Sequence, residues 1–405
     1  MKKAFTIPLV CMLLIVTTGF LVSSVHETSS TPTNADCLVG VAFCGNTTQE
    51  AKLLIDRVKD YTNLFVLQSG PVSENETATT EICDYAVEAG LDLIVFFGDL
   101  DPQVLQIKEE FLEKNVTWRT SWLAKAKEKY GDKILGIYYY DEPGGKWLDF
   151  QSWNILIERA FNVTDYHEAI VEATYDEVAE AYIRADEGDR GYHQIRENSL
   201  MLFSSDYVLY WFDYLMGYDV MLAQIGWNHT LAQDIALIRG AATMQNKSWG
   251  TIITWKYNNP PYLDSAENIY DQMLTSYKTG AEYIVLFNYP TYPETNQFGI
   301  MTDNHFETLE NFWNNVVTNS EVIHGSEKAE AVLVLPQNYG WGMRSPTDKI
   351  WAFLEPIEES DQIWTNLCIL LEKYDINLDI IYDDPNYAPE DIYTLIYYWN
   401  QRINP

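Results

Sequence analysis

The stretch ILGIYYYDEPGG, residues 134–145, runs from apolar and aromatic residues into two adjacent carboxylates, Asp141 and Glu142, and breaks at Pro143-Gly144-Gly145. Adjacent acids repel each other, and aromatic neighbours strip water from them. Both effects raise a carboxyl pKa, which is what a general acid working near neutral pH requires. Other acids follow apolar runs in the same way: Asp206 in FSSDY, Asp99 and Asp101 in FFGDLD, and Glu294 in YPETN. Each has a plainer reading beside the chemical one, a helix N-cap for Asp206 and a loop turn for Asp99. Aromatics and amides gather at corresponding places: Trp147, Trp227 with Asn228, Trp255 and Tyr257 with Asn258 and Asn259, and Asn288 with Tyr289 and Tyr292. Flat rings suit the apolar C–H faces of a sugar, and amides suit its hydroxyl edges. The alternative is that these rings only close a core.

The elements that must position these residues can be read from periodicity. Eight near-continuous apolar runs occur at 38–43, 63–67, 91–97, 134–140, 200–203, 218–225, 250–255 and 283–288. Strands buried on both faces have this character. Helical patterns lie between them. Thr230 with Gln233 makes a capping box, followed by Leu231, Ile235, Ile238 and Ala242 on one stripe; Asp264 with Glu267 and Asn304 with Glu307 open two more helices. Gly280 is placed to end the helix that Asp264 opens. Eight β-α units in roughly 285 residues predict an α/β fold of the (β/α)8 TIM-barrel kind over 37–325. Its fourth and fifth strands are separated by a long insertion at 143–199, with an acidic helical part at 166–197. Residues 326–405 read as a small C-terminal α/β domain.

On this reading Asp141-Glu142-Pro143 ends the fourth strand, on the face where barrel enzymes keep their sites. Here the chain resembles the (β/α)8-barrel glycoside hydrolase superfamily, many of whose members end that strand in Asn-Glu-Pro. The resemblance implies that Glu142 is the general acid/base and that Asp141 stands in the place of an orienting Asn. It implies a hydrolase that takes a carbohydrate and uses no cofactor. The chain departs from the pattern at the seventh strand, which those enzymes commonly end in a nucleophilic Glu. Here that strand runs into TWKYNNPPY, without an acid. Asp206 is then the leading candidate for a second catalytic carboxylate. Asp99, Trp147, Trp227, Asn228, Trp255, Tyr257, Asn288 and Tyr289 are the candidate substrate-binding residues. The missing acid keeps two other readings open: a carbohydrate-binding surface protein without activity, and a cell-envelope protein that uses the barrel as a scaffold.

Composition narrows the partners. The net charge of −33 argues against nucleic acid and against an anionic membrane surface. No glycine-rich phosphate loop occurs, and no Cys/His spacing suits zinc, so neither a nucleotide nor a metal is expected. Residues 1–36 comprise Lys2-Lys3, an apolar run at 4–25 and a polar linker. They are expected to form a signal peptide or an N-terminal membrane anchor, placing the protein outside the cell or on its surface. Six Asn-x-Ser/Thr sequons, at Asn46, Asn75, Asn115, Asn162, Asn228 and Asn246, fit an exported glycoprotein. A glycan on Asn228 would obstruct the same rim to which that residue is assigned. In an oxidising compartment Cys44 and Cys83 are a candidate disulfide.

Overall fold

The computed structural model describes residues 37–100, 116–149, 173–187, 189–226, 229–290 and 296–404. Eight parallel strands close into a barrel in sequence order: β1 Leu38–Phe43, β2 Leu64–Leu67, β3 Asp92–Phe97, β4 Ile134–Tyr139, β5 Met201–Asp206, β6 Val220–Ile225, β7 Ser248–Ile253 and β8 Tyr283–Asn288. Closure is made by β1 and β8, paired from Leu38 with Tyr283 to Phe43 with Asn288. The expected (β/α)8 barrel is therefore the observed fold. Its strands read as apolar runs because both faces are covered. Ala42, Val66, Ile94, Tyr138, Leu222 and Val285 fill the inside, while alternate residues pack outward against helices.

Two helix starts lie a residue or two from their expected positions. The helix Ala266–Lys278 is capped by Ser265, which accepts from the Asn268 N–H, and not by Asp264. Thr302, not Asn304, caps Asp303–Phe312. In both cases two cap-forming residues compete within one short stretch, and the loop geometry selects between them. Thr230 caps Leu231–Gln245 as expected. The described residues of the 143–199 insertion include the helices Pro143–Asp149, Tyr175–Ile183 and Arg190–Glu197 and the 3-10 turn Arg184–Asp186.

The C-terminal residues form a three-stranded parallel sheet in the order β10-β9-β11, from β9 Ala331–Leu335, β10 Leu378–Tyr382 and β11 Leu395–Tyr398, with the helix Ser360–Tyr374 between β9 and β10. It packs on the barrel helix Leu231–Gln245. Gly240 lets β10 approach, since a Cβ there would lie 2.5 Å from the Ile380 carbonyl. Beside it Arg239 makes a buried ion pair with Asp379 at 2.8 Å and donates to the Ile376 and Leu378 carbonyls. Cys37, Cys44, Cys83 and Cys368 are all free thiols, which corrects the Cys44–Cys83 expectation. Cys83 faces the core from an outer helix, whereas Cys44 continues β1 past its last residue.

Candidate active site

The chain reverses twice at the end of β4. Tyr140 and Glu142 both have left-handed backbone, with φ of 56° and 52°. Non-glycine residues adopt this region at a cost, and such outliers gather at functional sites. The Glu142 N–H is fixed to the Ser205 carbonyl at 3.0 Å. The helix Pro143–Asp149 then begins, and its glycines have a visible cause. A Cβ at Gly144 would lie 2.6 Å from that of Leu209 and 3.1 Å from Asp206, and one at Gly145 would lie 2.2 Å from the Tyr207 ring.

Asp141 and Glu142 join one hydrogen-bond chain across the barrel mouth. The Tyr138 hydroxyl donates to Asp141 Oδ1 at 2.6 Å and lies 2.6 Å from Ser205 Oγ. Gln224 Nε2 donates to Ser205 Oγ and to Glu142 Oε1, each at 2.9 Å. Lys146, one turn into the helix, donates to the Asp141 carbonyl at 2.7 Å and to its Oδ2 at 3.1 Å, and stands 3.7 Å from Glu142 Oε2. Burial, followed by the Asp141 charge, pushes the Glu142 carboxyl above its ordinary range, against the hydrogen bond from Gln224 and the nearby Lys146 charge. Partly buried Glu142 can thus hold a proton at a higher pH than an ordinary carboxyl, at a point where it can be given away.

Asp206 is the last residue of β5 and is fully buried. Its oxygens accept the backbone N–H groups of Gly144 at 2.5 Å, Gly145 at 2.9 Å, Tyr207 at 2.7 Å and Val208 at 3.3 Å. It fastens the start of the helix that carries Lys146. Asp99 is buried beside Tyr139 and Tyr140, and its carbonyl accepts from Arg119 at 3.3 Å. Trp147 is 4% exposed, edge-on to Tyr182 and Trp351, so its ring is core and not rim. Asn288 is buried, accepting the Met301 N–H at 3.3 Å. Trp255 and Tyr289, after β7 and β8, do form an aromatic patch. Their centroids are 5.2 Å apart, Phe287 stacks on Tyr289 at 6.0 Å, and Tyr289 is 42% exposed. Tyr257 is exposed beside them in sequence, with Lys256 over its ring. Trp227, Asn228, Asp101, Tyr292 and Glu294 lie outside the described residues.

Tyr138, Lys146, Ser205, Gln224 and Gln68 were not singled out by sequence. Gln68 follows β2 in the alternation that turns Leu64 and Val66 inward, and its buried Oε1 meets no donor among the described residues. Polar residues inside otherwise apolar runs were the available signal: Gln224 in VMLAQI and Ser205 in MLFSSD.

No protein-family model matches the chain, and no curated protein does. Solved structures do. The GH5_18 protein from Streptomyces cattleya, in complex with GlcNAc, aligns with a TM-score of 0.53 at 10% identity, over 90% of this chain and 98% of that one. A beta-glycosidase gives 0.42 at 11% identity, over 69% and 97%. A D-psicose 3-epimerase with D-tagatose, from Clostridium cellulolyticum H10, gives 0.41 at 10% identity, over 69% and 99%. At these identities the likeness is one of fold, a TIM barrel.

Proposed function

We propose that this protein is an exported glycoside hydrolase with Glu142 as its general acid and base. The observation that carries the reading is the setting of Glu142. Its carboxyl lies three residues past β4 on left-handed backbone, is pushed up by burial and by Asp141, and shares a hydrogen-bond chain with that second carboxylate. Such a group can protonate a departing glycosidic oxygen. The Trp255–Tyr289–Phe287 patch suits a sugar face, and the Gln68 carbonyl suits a hydroxyl. Export rests on Lys2-Lys3 and the apolar run at 4–25. Fractionation of the host should recover the protein outside the cytoplasm, and a purely cytoplasmic pool rules export out.

The attacking group must be found elsewhere than β7. The first acid after that strand is Asp264, and its carboxylate is held by Lys256 at 2.7 Å. Among the described residues Asp206 is taken up by four backbone N–H groups, and we take water or the substrate itself as the attacking group. In the substrate-assisted route the carbonyl oxygen of a 2-acetamido group attacks C1 as the C1–O bond breaks, and the Glu142 proton passes to the leaving oxygen. Asp141 would accept the acetamido N–H. Water then attacks C1, the bond from C1 to the acetamido oxygen breaks and the acetamido group is restored, and the water gives a proton to Glu142. Sugars with a 2-acetamido group are therefore the first class to test; the GlcNAc in the Streptomyces cattleya structure is one.

The second reading is carbohydrate binding without hydrolysis. The Lys256–Asp264 pair favours it, because it engages the acid nearest the end of β7. Release of reducing ends from a glycan panel decides between them. Glu142→Gln keeps shape and loses the proton donor, so turnover should fall by roughly 10²–10⁴-fold with binding retained. A variant that hydrolyses as fast as the wild type refutes the assignment. A wild type that binds glycans and cleaves none establishes the second reading.

A further inference from the structure

The two oxygens of Glu142 have different surroundings. Oε1 is 2.9 Å from Gln224 Nε2, and Oε2 is 3.7 Å from Lys146 Nζ. The orientation of the Gln224 amide follows from the far end of the chain. Tyr138 donates its single hydrogen to Asp141 Oδ1. Tyr138 must then accept from Ser205, 2.6 Å away. Ser205, its own hydrogen used, must accept in turn, and the group it faces at 2.9 Å is Gln224. Gln224 therefore presents its nitrogen, and the second N–H of that nitrogen points at Glu142 Oε1. A proton on Oε1 would meet that N–H head-on.

We infer that Gln224 is a positioning residue: through Ser205 and Tyr138 it is oriented by the Asp141 side chain, and it confines the transferable proton of Glu142 to Oε2. This deepens, and rests on, the reading of Glu142 as general acid. Lys146 completes the arrangement. Its short bonds go to Asp141, so it stays beyond hydrogen-bond length of Oε2 while remaining near enough to steady the carboxylate formed once the proton has left.

Several charged or titratable groups face this pair. Asp141 and Lys146 adjoin Glu142 in the chain, Tyr138 lies beneath on β4, and Asp206 and Tyr207 stand at the end of β5. Cys44, after β1, faces Asp141. Of the uncharged neighbours, Gln224 is the one that stabilises the ionised Glu142 by a hydrogen bond. Its removal must therefore raise the Glu142 midpoint.

The test needs no substrate. Gln224→Met removes both N–H donors at similar side-chain length. The Glu142 carboxyl is followed against pH by 13C NMR in glutamate-labelled protein, its signal assigned by loss in Glu142→Gln. The variant should bind that proton about tenfold more tightly, the usual worth of a hydrogen bond to a charged group. Ser205→Ala breaks the chain one step earlier and keeps the amide. It should move the midpoint the same way by less, and it serves where Gln224→Met does not fold. On any substrate that is cleaved, the basic limb of the pH–rate profile should move to higher pH. On the plateau below that limb kcat should fall about tenfold, with KM changed by no more than about threefold. An unmoved Glu142 midpoint in the folded variants overturns the inference. A midpoint that moves in a protein that cleaves no glycan upholds the positioning role and removes the hydrolase reading, so the two fail separately.

Discussion

Simple alternation along β4 would send Asp141 and Glu142 to opposite sides of the strand. The left-handed backbone at Tyr140 and Glu142 changes this, and both carboxylates reach one network above the barrel. At the same scale, the Trp255 ring touches Phe287 and Tyr289 at the edge of the mouth. Trp255→Ala should weaken glycan binding by about 1 kcal/mol, as other aromatic contacts do. It should cost the fold much less than the ~3–5 kcal/mol of a truncated core Trp. Calorimetric titration and a melting curve check the two halves; an unfolded variant would show the ring to be core. Sequence could find Glu142 because it interrupts an aromatic run at a Pro-Gly-Gly break. It passed over Gln224, whose amide lies one residue before the end of β6 and reads as noise in an apolar run. A burial pattern alone cannot say that a polar side chain there has a carboxylate to serve.

At the scale of elements, β1 and β8 begin and end where the apolar runs do, whereas β5 extends to Asp206, three residues beyond its run. Those three residues, Ser204, Ser205 and Asp206, are polar because of what they touch. Ser204 donates to the Tyr140 carbonyl, Ser205 joins the acid chain, and Asp206 takes the N–H groups that open the next helix. Local rules for a buried strand fail there because the strand end is part of the site. Gly136 shows the opposite case, a sequence feature whose cause only the fold reveals. A Cβ on it would lie 2.1 Å from the Met201 carbonyl, so β4 and β5 pair as closely as they do because residue 136 has no side chain. The two helix starts that sequence misplaced, at Ser265 and Thr302, have a similar cause. Asp264 makes a good cap on paper, but its carboxylate is taken by Lys256 and Asn268.

Across the whole molecule, 59 acidic residues oppose 26 basic ones, and several of the acids are buried. Asp206, Asp213, Asp234 and Asp379 all lie inside, and burial above all pushes each above its ordinary range, even where His229 or Arg239 pulls the other way. The sign follows by linkage. An acid whose folded pKa is raised binds more protons in the folded chain than in the unfolded one. The stability it contributes is complete below its unfolded value of about 4 and is lost as pH rises through the folded value. Asp264 runs the other way: burial raises it, but Lys256 and its hydrogen bonds bring it below its ordinary value, so its stabilisation fades only as pH falls below about 4. Above about pH 4 the raised acids therefore favour the lower pH, and the repulsion among surface carboxylates acts in the same direction. The protein should melt at a higher temperature at pH 5.5 than at pH 8. Each kcal/mol of linkage is worth roughly 2–4 °C in a domain of a few hundred residues or somewhat less. Salt separates the two contributions. It screens the exposed charges over about 10 Å at 0.1 M but leaves buried acids largely unscreened. Adding salt at pH 8 should thus raise the melting temperature and recover only part of the difference from pH 5.5. A melting temperature that instead climbs from pH 5.5 to 8 would mean that burial does not raise these aspartates. Complete recovery by salt would assign the whole effect to the surface.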